Sequence, residues 1–206
     1  MIFFDFDGTV VNVWPRYYQV FLAASGFTEI SQRDYVKAKR TLLSDQKVAQ
    51  YFGKDLPVQY FSMKRVLLEH EKYLCLDTLL ASLTELNDIF SNVECRFLTK
   101  RRLASAFFAE LRGVGLGHLS NKAIVLNPDE GMSKKTYLMQ NFSQSEHIVI
   151  GDSESEWEAA TLKNVHAVLV RTGLRRPEDF PLSERHTVVP SVSAFITSYM
   201  RSEMCL

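Results

Sequence analysis

Aspartates stand in this sequence where buried segments give way to turns. Near the start, Asp5-Phe6-Asp7-Gly8-Thr9 follows an apolar run. In an extended segment alternate side chains share a face, so Asp5 and Asp7 are expected to point into one site. Two carboxylates held together repel unless a cation or a shared proton relieves them, and the spacing therefore implies a metal. Gly8 permits a tight turn beside a ligand, and Thr9 can hydrogen-bond within it. A further carboxylate comes in Gly151-Asp152-Ser153-Glu154-Ser155-Glu156, again after apolar residues. Magnesium favours such oxygen ligands, usually one or two carboxylates with phosphate oxygens and water. Asp5, Asp152 and the backbone carbonyl of Asp7 form a suitable set. A carboxylate can also serve as a covalent catalyst, dividing one hard displacement into two easier ones.

Groups that could hold an anion occur between these carboxylates. Thr99 and Lys100 follow the apolar segment at residues 93–98, where a hydroxyl and backbone amides can meet phosphate oxygens. Taken alone, Thr99 could equally cap a helix beginning near Arg101. In Gly131-Met132-Ser133-Lys134-Lys135, Ser133 is a plausible cap and the lysines fall in a first helical turn. The helix dipole disfavours cations there, so either something negative lies nearby or both lysines are solvated. Asp152 or Ser153 could likewise be no more than a helix cap.

These positions need elements to bring them together. Short apolar runs at residues 1–6, 93–98, 122–126, 147–150, 165–170 and 187–189 predict strands. Helical patterns separate them, one starting at Asp77 and others at 101–112, 133–142, 154–163 and 191–200. That alternation predicts an α/β fold with a parallel sheet, in which ligands bind at the carboxyl edge. From residue 13 to 73 the pattern is helical alone, with Pro15 suited to a helix start and Gly26 and Gly53 to helix ends. The expected organisation is an α/β core at 1–12 and 74–206, interrupted by a small all-helical insertion at 13–73.

Composition narrows the classes of function. With 206 residues and a formal net charge of zero, no global field draws the chain to nucleic acid or to an anionic membrane. Cys75, Cys95 and Cys205 are odd in number and lack metal-type spacing, which fits a reducing compartment and makes cytoplasm the expected location. No run approaches the roughly 20 apolar residues of a membrane span. The initial apolar run is too short for a signal peptide, because it meets Asp5 at once. Lys37-Ala38-Lys39-Arg40 reads as a solvated helix face, and Gly113-Val114-Gly115-Leu116-Gly117 follows a helix where a dinucleotide loop would follow a strand. Arg16 is a candidate for reading a substrate's second anionic group, and Tyr17 a candidate for either specificity or core packing.

In kind and order these segments resemble the haloacid dehalogenase superfamily, most members of which are magnesium-dependent phosphatases. Asp5-Phe6-Asp7-Gly8-Thr9 looks like its first motif, Leu98-Thr99 its second, Lys134 its third, and Gly151 to Glu156 its fourth. The resemblance implies a Rossmann-like sheet with the first strand central and a mobile helical cap at the insertion. It implies Asp5 as nucleophile, Asp7 as general acid and base, Thr99 and Lys134 as phosphate holders, with Gly8, Thr9 and Lys100 beside them. Asp152 becomes a metal ligand and Mg2+ the cofactor. Glu156 replaces the family's usual aspartate and is expected to reach the metal through water or not at all. Lys134 is preferred to Lys135 because Leu138 follows four residues later. The implied activity is hydrolysis of a small phosphate monoester through an aspartyl-phosphate, by a monomer or homodimer. A sugar phosphomutase and a regulatory member with weak turnover are the alternatives. Dehalogenation is disfavoured, because halide leaves without a proton and the acid at Asp7 would be idle.

Overall fold

The computed structural model describes residues 1–203, so Cys205 lies outside the described residues. The chain divides into two compact units, one formed by Met1–Asn12 with the chain from Thr78 onward, the other by Val13–Asp77. The strands all belong to the first unit: β1 (Ile2–Phe4), β2 (Val11–Asn12), β3 (Thr78–Leu79), β4 (Cys95–Lys100), β5 (Ala123–Leu126), β6 (His147–Gly151), β7 (Val165–Val170) and β8 (His186–Val189). Six of them form a parallel sheet in the order β5-β4-β1-β6-β7-β8, with β1 flanked by β4 and β6. This is the expected Rossmann-like α/β architecture. Strands buried on both faces read as continuous apolar runs, which is why the inner strands β1, β6 and β7 were visible in sequence.

The second unit is wholly helical among its described elements: α1 (Trp14–Ser25), α2 (Gln32–Leu42), α3 (Asp45–Tyr51), α4 (Tyr60–Leu67) and α5 (Glu71–Leu74). Pro15 sits in the first turn of α1, and Gly26 ends that helix with φ of 73°, a left-handed conformation that glycine adopts at little cost. Ser31 and Ser44 cap α2 and α3 by accepting backbone N–H bonds. Phe21 anchors the interior, stacked on Phe27 at 5.4 Å and packed against Tyr35 at 4.9 Å.

Back in the first unit, the helices are α6 (Leu83–Asn92), α7 (Ala104–Gly113), α8 (Lys134–Asn141), α9 (Glu154–Ala159) and α10 (Val192–Glu203). The two faces of the sheet are covered differently. Phe3, Leu98, Leu126 and Val149 pack with Leu138 of α8 and Ala159 of α9. On the opposite face Phe4 meets Phe90 of α6 and Phe195 of α10, while Phe6 meets Phe107 of α7. One expectation fails: no helix starts at Asp77. Thr78 and Leu79 instead pair antiparallel with Asn12 and Val11, and α6 begins only after Ser82. Ser82 and Glu85 form a capping box there, which competes successfully with the apolar periodicity at Leu79 and Leu80.

Candidate active site

Asp5 leaves β1 on the same face as Phe3, the face covered by α8 and α9. Those helices bring the two partners that define the site. Lys134, in the first turn of α8, places Nζ 2.6 Å from Asp5 Oδ1 and 2.6 Å from Glu156 Oε1. The lysine is only 2% exposed. An ammonium in a first helical turn is tolerable when two carboxylates neutralise it, which explains the sequence anomaly. Lys135 is half-buried, and Lys134 alone of the pair meets Asp5.

Asp152 completes a cluster: one carboxylate oxygen from each of Asp5, Asp152 and Glu156 lies within 4.8 Å of the others, all three residues being buried. Burial pushes Asp5 up to about 7, even though Lys134 pulls it down. Burial also raises Asp152, reinforced by the charges of Asp5 and Glu156. For Glu156 burial is outweighed by Lys134 and by hydrogen bonds from Ser153, which hold its carboxyl below the usual range. Lys134 pays for burial yet stays raised, because Asp5 and Glu156 favour its charge. Ionised together, three buried carboxylates against one ammonium would carry excess negative charge, which is why Asp5 and Asp152 are raised, and the all-oxygen donor set fits a hard divalent cation.

Glu156 is an organiser of this cluster. Its Oε2 accepts from Ser153 N at 3.1 Å and Ser153 Oγ at 2.8 Å, forming the capping box of α9. Its Oε1 accepts from Lys134 and from Ser155 Oγ. The helix-cap alternative thus applies to Ser153, while Asp152 joins the cluster. Gly151 allows the fold-back, since a Cβ there would lie 2.3 Å from Glu156 Cδ.

Asp7 departs from expectation. It does not extend β1 beside Asp5, because the chain turns after Phe6: Val10 N and Val11 N both donate to Phe6 O, and Gly8 N donates to Val11 O. The Asp7 carboxylate therefore meets Arg101 Nη2 at 2.6 Å, and that same Nη2 reaches Glu110 Oε2 at 2.7 Å. Its side chain lies outside the carboxylate cluster, so only its backbone carbonyl stays a candidate ligand. Gly8 has φ of +73°, and a Cβ on it would fall 2.6 Å from Asp152 Oδ2. Thr9 makes its turn bond through the backbone, N to Phe6 O at 3.3 Å, while its buried hydroxyl has no hydrogen-bond partner among the described residues.

Thr99 closes the buried part of β4 and does not cap α7, whose N-cap is Leu103. Lys100 is exposed. In the second unit Arg16 is buried, its guanidinium paired with Asp77 at 3.1 Å and donating to Leu68 O at 3.2 Å. Tyr17 is half-buried, with Arg16 and Lys64 against its ring at 5.7 Å and 5.4 Å.

Sequence patterns alone do not single out Arg101 and Glu110, which fall within a helical pattern, although a carboxylate three residues after Phe107 on an apolar stripe is a signal. The turn after β7 was also overlooked. Leu174 N donates to Asp152 Oδ2 at 2.6 Å, Thr172 Oγ1 donates to Gly8 O at 2.9 Å, and a Cβ on Gly173 would fall 2.0 Å from Asp152 Oδ2. A glycine just past a strand at the carboxyl edge was the available clue.

No family model and no curated protein matches the sequence. Solved structures do match. A predicted phosphatase from Clostridium acetobutylicum superposes with a TM-score of 0.68 at 15% identity over 97% of each chain. A haloacid dehalogenase-like hydrolase from Streptococcus pneumoniae gives 0.66 at 16% identity, also over 97% of each chain. Protein Tyrosine Kinase A from Mycobacterium tuberculosis gives 0.66 at 15% identity over 96% of each. Likeness at these identities establishes architecture: this chain has the fold of the haloacid dehalogenase superfamily. Of the residues that carried the sequence resemblance, Asp5, Lys134, Asp152 and Glu156 gather in one cluster.

Proposed function

We propose that the protein is a magnesium-dependent phosphohydrolase acting on a small phosphate monoester. The observation that carries this reading is the Lys134 ammonium 2.6 Å from Asp5 Oδ1, in a buried cluster with Asp152 and Glu156. Asp5 attacks phosphorus, forming an aspartyl-phosphate as the ester oxygen departs. Asp7 gives that oxygen a proton and then takes one from the water that cleaves the intermediate, regenerating Asp5 and releasing phosphate. Lys134 and Thr99 stabilise charge on the transferring phosphoryl oxygens, with Gly8, Thr9 and Lys100 lining the approach. Asp5, Asp152 and the Asp7 carbonyl would hold the magnesium, which when bound offsets the negative charge of the phosphate. Glu156 orients Lys134. The helical unit serves as the cap that selects substrate.

Because a neighbour of this fold is named a kinase, the acceptor matters. Inorganic phosphate release should be measured with magnesium, without any added acceptor, from 4-nitrophenyl phosphate and a panel of phosphorylated metabolites. Release is expected from the wild type and lost in Asp5→Asn; an Asp5→Asn variant as active as wild type would sink the mechanism.

A further inference from the structure

We infer that Arg101 is a positioning residue for Asp7, holding its carboxylate where a leaving oxygen collects a proton, with Glu110 as the opposite anchor. The inference rests on the phosphohydrolase reading and adds to it a group outside the motifs that carried that reading. Arg101 is 3% exposed. Its backbone N–H donates to Leu126 O at 3.0 Å, continuing the β4 to β5 ladder past the end of β4 and fixing where the side chain starts. Its Nη2 then sits 2.6 Å from Asp7 Oδ1 and 2.7 Å from Glu110 Oε2. Glu110 is itself buried on α7, which the Phe6–Phe107 contact at 5.0 Å holds against the sheet.

Stability alone is a poor reason for this arrangement. Burying a guanidinium is costly, and apolar replacements of buried ion clusters are often neutral or stabilising. Placement of Asp7 is a better reason. Asp7 stands two residues from Asp5 in a turn, where repulsion between the carboxylates would drive its side chain outward. Arg101 fixes the single direction that the side chain takes. Glu110 offsets part of the guanidinium charge, so Nη2 orients Asp7 without holding it against a full unbalanced cation.

The test uses leaving-group dependence in the full-length protein with magnesium. The kcat/KM value covers steps up to departure of the ester oxygen, the stage at which Asp7 donates. An alkoxide needs that proton, whereas 4-nitrophenolate hardly does. Arg101→Gln is expected to lower kcat/KM for a simple alkyl phosphate by about 100-fold or more, the scale of general acid catalysis. For 4-nitrophenyl phosphate the loss should stay under about tenfold, and Arg101→Lys should recover part of the alkyl activity. Equal losses on both substrates would overturn the inference. If circular dichroism finds Arg101→Gln unfolded, Arg101→Lys decides alone: a loss larger for the alkyl ester supports the role, and matching losses refute it. A wild type that releases phosphate from neither ester would instead overturn the phosphohydrolase reading, and this inference with it.

Discussion

At the scale of single residues, the site is an electrostatic balance around Asp5. Its carboxyl is pushed up to about 7 from an ordinary 3.8, chiefly by burial. The folded protein then binds more protons than the unfolded chain between those values, so this contribution to stability declines as pH rises from about 4 to 7. Asp152, raised by burial and the neighbouring charges, acts in the same direction. Neither partner cancels this near neutrality. Glu156 is lowered from 4.5, so its contribution is complete above that pH; Lys134 is raised from 10.5, so its contribution persists below that pH. In chelator, the melting midpoint is expected to fall between pH 5 and pH 7.5 relative to Asp5→Asn. Under the proposed function magnesium would compete with protons for these carboxylates, so it should raise the wild-type midpoint more at pH 7.5 than at pH 5. Thermal scans at both pH values check this, and an equal gain at the two would contradict it.

At the scale of elements, the cluster depends on close backbone approach. Gly8 and Gly173 both lie against Asp152, and the Leu174 N–H at 2.6 Å orients its carboxylate. A methyl at Gly173 would fall 2.0 Å from Asp152 Cβ, a distance that forces something to move. Gly173→Ala is expected to cost about 2 kcal/mol, the middle of the range for overpacking. Under the proposed function it should also weaken magnesium binding, because the displaced group is the Asp152 side chain. Denaturant unfolding and titration calorimetry measure the two effects; unchanged affinity would mean that the turn supports the fold only. Glu156 shows a second coupling, since one side chain both caps α9 and orients Lys134 of α8. One carboxylate thereby serves both helices.

At the scale of the molecule, the helical unit enters and leaves the core through a two-residue ladder. Asn12 pairs with Thr78 and Val11 with Leu79, antiparallel. Residues so paired can be joined by a two-residue Asn-Gly turn. Replacing Val13–Asp77 with that turn is expected to leave a cooperatively folding core, because the six-stranded sheet lies wholly in the first unit. Under the proposed function, 4-nitrophenyl phosphate would still be cleaved while discrimination among metabolites is lost. Circular dichroism, thermal unfolding and the metabolite panel check both parts. Loss of cooperative unfolding would show that the helical unit is needed for the core to fold. Among the described residues no helix is long and apolar enough to cross a membrane.

Much was legible in sequence because it is written locally. The inner strands β1, β6 and β7 are buried apolar runs, Gly26 marks a helix end, and the Asp5 and Asp152 turns fall at strand ends where a parallel sheet gathers ligands. Lys134 stood out through its conflict with a helix dipole. The directions of side chains after those strands were not local. Alternation placed Asp7 beside Asp5, but the turn at residues 6–11 bonds back on Phe6 and delivers Asp7 to Arg101 instead. Periodicity extended a helix to Asp77, whereas pairing with Val11 and Asn12 claimed Thr78 and Leu79 as strand. The chain by itself determined which groups could do chemistry and which strand ends present them. Tertiary structure alone decided their partners, Glu156 for Lys134, Arg101 for Asp7 and Gly173 for Asp152, because each pairing joins residues far apart in sequence whose approach depends on how helices and turns pack on the sheet.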